Sequence, residues 1–207
     1  NLKFWIRPSS FKHTGLFPEQ ASNWSWMQEC IRAAHRPVSV LNLFGYTGGA
    51  SLAAAAAGAD VCHVDGSKTV VSWARENAAL SGLADKPIRW ILDDARGFVK
   101  RELKRGKKYD AIIMDPPAFG HGAEKELWKI EDDLLPLLKN CHALMSEQPL
   151  FFLVNGYASG YSALAYENNL RCMFGDAGSL ELGELTIRET SGGRLLPAGI
   201  FARWLTA

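Results

Sequence analysis

Five short apolar runs, each followed by a polar or glycine-containing turn and a longer helix-forming stretch, constrain this chain more than any other feature in it. "VSVLNLF" (38–44), "ADVCHVD" (59–65), "IRWILDD" (88–94), "YDAIIMD" (109–115) and "PLFFLVN" (149–155) read as strands. They are apolar nearly throughout instead of alternating, which marks strands covered on both faces. Such strands belong to a parallel sheet with helices on each side. The intervening stretches predict those helices: an alanine-rich one at 50–57, one behind Ser67 as N-cap that stops at Gly82, one across "ARGFVKRELKRG", and one from about 124 to 142.

After residue 178 the pattern changes. "SLELGELTIRET" and "GIFARWLTA" alternate and are joined by "SGGRLLPA", predicting a terminal antiparallel pair. Aromatics and prolines in the first 20 residues predict a short strand and an ordered loop. The expected fold is α/β: a Rossmann-like, doubly wound, mostly parallel sheet with a terminal antiparallel strand pair. One domain over 1–207 is the simplest organisation, with a strand, loop and helix of 1–36 packing on a core of 37–207. "SLAAAAAGADV" is too short and alanine-rich to span a membrane. Cys30, Cys62, Cys141 and Cys172 show no C-x-x-C and no zinc-like spacing to histidines, so they are expected to be buried reduced thiols in a cytoplasmic protein without a metal.

In an open parallel sheet, ligands bind beyond the carboxyl ends of the strands, and four features fall there. "NLFGYTGG" puts Gly45, Gly48 and Gly49 where the first strand turns into a helix, letting backbone N–H groups approach a ligand. Asp65 ends the second strand about 20 residues on, the spacing of a carboxylate that accepts from ribose hydroxyls; capping the next helix is the alternative. Asp93 and Asp94 end the third strand, suited either to an adenine amino group or to another helix cap. The fourth is Asp115 followed by Pro116 and Pro117, far more than strand termination requires. A nucleoside held this way fits a dinucleotide or S-adenosylmethionine. The turn reads G-x-x-G-G and not the G-x-G-x-x-G that a pyrophosphate needs, which favours the second.

The stretch from Val40 to Leu83, "VLNLFGYTGG…HVDGS…ARENAALSGL", followed by "DPPAF" at 115–119, resembles the class I S-adenosylmethionine-dependent methyltransferases. It is most similar to the group that modifies bases of large-subunit ribosomal RNA, which includes cytosine-5 and guanine-7 enzymes. "KHTGLFPEQASNW" (12–24) resembles a segment of that group lying over the methionine part of the cofactor, and "GRLLPAGIFARW" is a weaker tail match. The resemblance implies that Phe17, Gln20, Phe44, Gly45, Tyr46, Thr47, Gly48, Asp65, Ser67 and Asp94 hold S-adenosyl-L-methionine. It implies that Asp115, Pro116 and Pro117 face the acceptor base, with Phe119 and Asn155 contacting substrate.

Cytosine C5 is a poor nucleophile and needs a cysteine thiolate to add to C6 first. Cytosine-5 members carry that cysteine after the fifth strand, where this chain has "LVNGYASG". The expected acceptor is therefore a nitrogen, attacked in line and oriented by Asp115. The prolines stiffen the loop and present carbonyls, and Phe119 either stacks on the base or packs within the loop. The basic run Lys100–Lys108 lies opposite the cofactor side and reads as a solvated helix end. Lys12, His13, His121 and Arg194 are better placed to meet an acceptor. With a net charge of +1, an enzyme acting on RNA would need an appended binding module, and a start without methionine leaves room for one in a preceding segment. Ribosomal RNA is the expected partner. The alternatives are a small-molecule or protein acceptor, a nicotinamide-dependent oxidoreductase, or a non-catalytic module that kept the cofactor fold.

Overall fold

In the computed structural model, which describes residues 2–8, 13–122, 124, 126–157 and 160–207, the five predicted runs all form strands. They are β1 (Ser39–Leu43), β2 (Asp60–Asp65), β3 (Ile88–Leu92), β4 (Ala111–Met114) and β7 (Phe151–Gly156). These five pair in parallel in the order β3-β2-β1-β4-β7. The predicted terminal pair is β8 (Gly178–Arg188) and β9 (Leu195–Thr206). Strand β9 lies antiparallel to β7 and β8 antiparallel to β9, completing a seven-stranded sheet.

Side chains alternate across a strand, so a run apolar at every position must be covered on both sides. Leu41, Leu43, Ile112, Met114, Phe152 and Val154 face one layer with Phe98 and Val99 of α4 (Ala95–Lys104), Leu134 and Leu138 of α5 (Ile130–Ala143), and Leu170 of α6 (Ala163–Phe174). The intervening Val40, Val61, Ala111, Ile113 and Leu153 face the other, with Met27 and Ile31 of α1 (Ala21–Ala33) and the alanines of α2 (Gly49–Ala56). Helix α3 (Lys68–Leu80) joins the second layer through Ala78 against Leu52. Truncating any of these fully buried leucines or isoleucines to alanine typically costs about 2–5 kcal/mol.

Three expectations need correction. Residues 2–8 form no strand; instead side chains of α3 and of its C-cap Ser81 bond the backbone of Lys3 and Trp5, and Arg7 N donates to Thr14 O. Asn77 Oδ1 accepts from Trp5 N at 2.9 Å, the Ser81 hydroxyl accepts from Lys3 N and donates to Lys3 O, and Trp73 Nε1 donates to Trp5 O. The helix expected from about 124 begins at Ile130, preceded by a hairpin of β5 (Phe119–His121) and β6 (Leu127–Lys129). The period-2 pattern of β6, with Trp128 buried between exposed Leu127 and Lys129, is a strand's and not a helix's. Cys172 is exposed on α6, whereas Cys30, Cys62 and Cys141 are buried as expected.

The strand order changes direction at β1. Its crossover to β2 leaves on one side and β4 lies on the other, so a crevice opens between the carboxyl ends of β1 and β4. Among the described residues, no helix is long and apolar enough to cross a membrane.

Candidate active site

The turn that leaves β1 is held in an unusual backbone shape. Phe44 (φ 56°) and Tyr46 (φ 47°) are both left-handed although neither is glycine, each at a cost of about 1–2 kcal/mol. Neighbouring groups hold them there. Gly45 N donates to Val64 O, Tyr46 N to Asp65 Oδ2 at 2.9 Å, the Thr47 hydroxyl to Gly15 O at 2.6 Å, and Asn77 Nδ2 to Thr47 O. Gly45 has no room for a side chain, because a Cβ would lie 2.4 Å from the His63 ring. Gly48 takes φ 92° and opens α2.

The result is a cavity of about 490 Å³ over the crevice, a size ordinary for a small-molecule site. One wall is aromatic. The Phe17 ring lies 5.3 Å from His13, 5.5 Å from Tyr46 and 5.7 Å from Tyr157, and Phe44 lines the cavity beside it. Carboxylates line the strand ends. Asp65 accepts from both Tyr46 N and Ser67 N, and burial pushes its carboxyl above the usual range. It is not the helix cap, since Ser67 caps α3. Asp94 does cap α4, accepting from Gly97 N at 2.9 Å, and pairs with Arg96 while still lining the cavity. The helix-cap role expected for it is thus observed, at a carboxylate that also borders the cavity.

Asp115, at the end of β4, is part-buried and lines both cavities. Burial, assisted by the negative charge of nearby Glu19, pushes its carboxyl up to about 7. The Gln20 amide Nε2 donates to Asp115 Oδ2 at 3.1 Å and to the Tyr157 hydroxyl at 2.8 Å. Pro116, Pro117 and Ala118 continue the cavity wall. The Pro117 carbonyl accepts from Trp128 Nε1 at 2.6 Å, so it is turned to the hairpin and not, as expected, to the pocket.

Other expected site residues stand apart from the main cavity. Phe119 is 57% exposed on β5, with its ring edge-on to His121, and does not line the cavity as a stacking residue would. Gln20, Gly45, Thr47 and Asn155 line a smaller cavity of about 40 Å³ beneath the turn. Asn155 accepts there from Asn23 Nδ2 at 2.9 Å. His13 and His121 reach the main cavity, whereas Arg194 pairs with Glu189 at the tip of the β8–β9 ribbon. Lys12 lies outside the described residues. The cations of the basic run are all exposed, as expected of a solvated helix end, with Arg101 pairing with Asp93, Arg105 with Glu102 and Lys108 with Ala143 O at the surface.

Trp128, Arg96 and Tyr157 were not singled out in sequence. Tyr157 follows the fifth strand directly and could have been found by its place in the strand-end series. Trp128 sits in a run that resembles a helix start and carried no such signal. None of the four cysteines lines the cavity, and burial pushes the Cys30, Cys62 and Cys141 thiols up, against thiolate formation.

These residues fit S-adenosylmethionine. An aromatic wall suits the adenosine and sulfonium, and the Asp65 carboxylate, with two of its roughly four acceptor positions filled, retains capacity for ribose hydroxyls. The backbone has been kept clear of side chains at Gly45 and at Gly66, where a Cβ would meet Gly122 at 3.1 Å.

Comparison with known proteins agrees. Residues 1–168 match the family model described as S-adenosylmethionine-dependent methyltransferase. A solved S-adenosylmethionine-dependent methyltransferase from Agrobacterium tumefaciens is 43% identical, superposes with a TM-score of 0.95, and is matched over 99% of this chain and 67% of its own. A protein described as a methyltransferase and crystallised with SAH shares the fold at 22% identity and a TM-score of 0.71, over 93% of this chain and 51% of its own. A curated relative, the ribosomal RNA large subunit methyltransferase K/L of Methylococcus capsulatus, is 32% identical over 145 residues, 69% of this chain and 19% of that protein. The chain thus spans about a fifth of the length of the curated relatives it matches. The sequence pattern, the crevice between β1 and β4, and these likenesses agree: the chain belongs to the S-adenosylmethionine-dependent methyltransferases.

Proposed function

We propose that this chain transfers a methyl group to a nitrogen of a nucleobase in large-subunit ribosomal RNA, in the cytoplasm. One observation carries the choice of atom: the acceptor end of the cavity offers a part-buried, amide-oriented carboxylate at Asp115 and no thiol. The curated relatives' names support the choice of RNA.

Bound S-adenosylmethionine supplies a methyl group already activated on a sulfonium. The chain's own residues then do the positioning. Phe17, Phe44 and Tyr46 wall the cofactor, Asp65 accepts from its ribose, and Ser67 and Asp94 bound its far end. The turn glycines Gly45 and Gly48, with Thr47, keep that wall in place. Asp115, held by Gln20, accepts from the amino group of the base, aligns the nitrogen lone pair, and takes up the positive charge and proton released as the N–C bond forms. Pro116 and Pro117 remove two soft φ angles beside it. Phe119 and His121, at the outer rim, meet nucleotides that flank the target.

Mass spectrometry of ribosomal RNA nucleosides from cells with and without the gene tests the reading. A modified base that disappears, and returns with the wild type but not with Asp115→Ala, is expected. Identical nucleoside profiles would redirect the search to a small-molecule or protein acceptor.

A further inference from the structure

The β5–β6 hairpin has a use that the acceptor motif alone does not require. Gly120 and Trp128 lie against the cavity and His121 reaches its rim, while Phe119, Leu127 and Lys129 are exposed and do not line it. Trp128 is 2% exposed, with its ring 4.9 Å from Phe44, the first residue of the cofactor turn, at 61°. Its single N–H donates to Pro117 O at 2.6 Å. Two residues on, at the start of α5, Ile130 N donates to Ala118 O at 3.1 Å. The two carbonyls that follow Pro116 are thereby fixed by donors from β6 and from the first residue of α5.

Arg96 holds the hairpin to the rest of the site. Its guanidinium pairs with Asp94 at 3.0 Å and with Asp133 at 2.8 Å, donates to Leu127 O at 2.9 Å, and lies 5.8 Å from the centre of the Trp128 ring. Asp133 in turn accepts from Lys129 N at 3.0 Å. The carboxylate at the end of β3, the start of α5 and both ends of β6 therefore share one cation. A buried indole N–H takes an acceptor wherever it packs; here that acceptor is the carbonyl of the second proline after Asp115, and the arginine that anchors β6 joins four partners around it.

We infer that Trp128, braced by Arg96, is a positioning residue for methyl transfer: its indole N–H sets the Pro117 carbonyl, and with it the aim of Asp115, relative to a cofactor turn that the same ring touches at Phe44. The inference rests on Asp115 being the acceptor-side group. The role is one of geometry, and Trp128 touches no reacting atom.

The test compares wild type with Trp128→Phe, Arg96→Met and Asp115→Asn. Trp128→Phe keeps a ring against Phe44 and removes only the N–H. Calorimetry with S-adenosylmethionine and single turnover on protein-free large-subunit ribosomal RNA from cells lacking the gene separate binding from transfer, and amide exchange across 118–122 reports the loop directly. The expected result for Trp128→Phe is a cofactor affinity within about threefold of wild type and a transfer rate at least tenfold lower. Exchange at Ala118–Gly120 should be at least tenfold faster, and Arg96→Met should shift rate and exchange in the same direction. A Trp128→Phe protein with unchanged transfer and exchange overturns the inference, as does one that loses affinity and rate in parallel, since that is the behaviour of a packing residue. If Asp115→Asn keeps full transfer, the acceptor reading itself fails. If only Asp115→Asn is impaired, that reading stands and this inference falls. Should wild type not methylate this RNA, the exchange arm decides: unaltered protection in Trp128→Phe overturns the inference.

Discussion

Gln20 Nε2 lies 3.1 Å from Asp115 Oδ2 and 2.8 Å from the Tyr157 hydroxyl, so one amide nitrogen ties together groups 95 and 137 residues away in the chain. The family resemblance implies a cofactor role for this residue, whereas its contacts orient the Asp115 carboxylate, the group proposed to meet the acceptor. The two roles predict different kinetics. Gln20→Leu removes both donated bonds, and a hydrogen bond to a charged group contributes about 1.5–3 kcal/mol. Transfer should therefore slow by roughly 10- to 100-fold, with cofactor affinity changed by less than about threefold. Equal losses in the two would return Gln20 to the cofactor.

Asp115 should make the protein's stability fall as pH rises. Its carboxyl ionises near 3.8 in the unfolded chain and about 7 in the fold. Between those values the folded state holds the extra proton, and stability is lost progressively until about pH 7. The full difference is on the order of 4 kcal/mol at 1.36 kcal/mol per unit. Asp115→Asn should then be more stable than wild type at pH 8 and similar to it at pH 4, as read from urea midpoints. The transfer rate of wild type should rise as pH passes through about 7, where the carboxylate forms in the folded protein. A pH-independent gap between the two proteins would show that Asp115 ionises like an exposed aspartate.

His63 contributes the opposite slope. It is fully buried between Ser51 Oγ, 2.9 Å from its Nδ1, and the Trp90 ring, and burial lowers its ionisation from 6.5 to about 3. An unfolded chain takes up a proton below 6.5 that the folded one refuses, so stability is lost as pH falls from 6.5 towards 3. Between about pH 4 and 6.5 the two groups offset each other. Wild type should be nearly flat there, and Asp115→Asn should expose an acid-side loss. Its disappearance in Asp115→Asn/His63→Gln would assign that loss to His63.

Gly45 and His63 should be energetically coupled. A Cβ on Gly45 would overlap the imidazole, although its own φ is not in the left-handed region. Gly45→Ala should cost about 1–3 kcal/mol as an overpacked site and weaken cofactor binding by displacing the turn. In a His63→Ala background that cost should largely vanish, giving a coupling energy above about 1 kcal/mol in a double-mutant cycle. Additive losses would mean that the glycine is required for another reason.

The thiols should divide one to three. Cys172 is exposed and the other three are buried, so a chromogenic disulfide should titrate one thiol per native chain and four after denaturation. Blocking Cys172 should leave cofactor affinity and transfer unchanged. Rapid reaction of Cys141, which is fully enclosed, would mean that α5 opens readily.

The sheet was legible because its central strands β1, β4 and β7 are buried on both sides, and a continuous apolar run such as "AIIM" has few other uses. Strand ends were legible for the same reason: polar residues such as Asp65, Asp94 and Asp115 stand out where a hydrophobic run stops. The hairpin at 119–129 was not, because three-residue strands leave no periodicity to read, and Trp128 resembles any other core aromatic. Phe119 shows the converse limit, since an aromatic beside a diproline suggested stacking while its side of the pleat was undetermined. The N-terminal stretch was misread because its backbone finds side-chain partners on α3 in place of a neighbouring strand, a solution that no local pattern encodes.

The two left-handed residues of the cofactor turn carry a further consequence. Phe44 and Tyr46 present aromatic rings to the cavity from a backbone shape that glycine would adopt without strain. Tyr46→Gly would relax the loop while stripping the wall, so here robustness and affinity pull on the same atoms in opposite directions. Selection for heat tolerance alone would be drawn to this turn and would erode the enzyme's grip on its methyl donor.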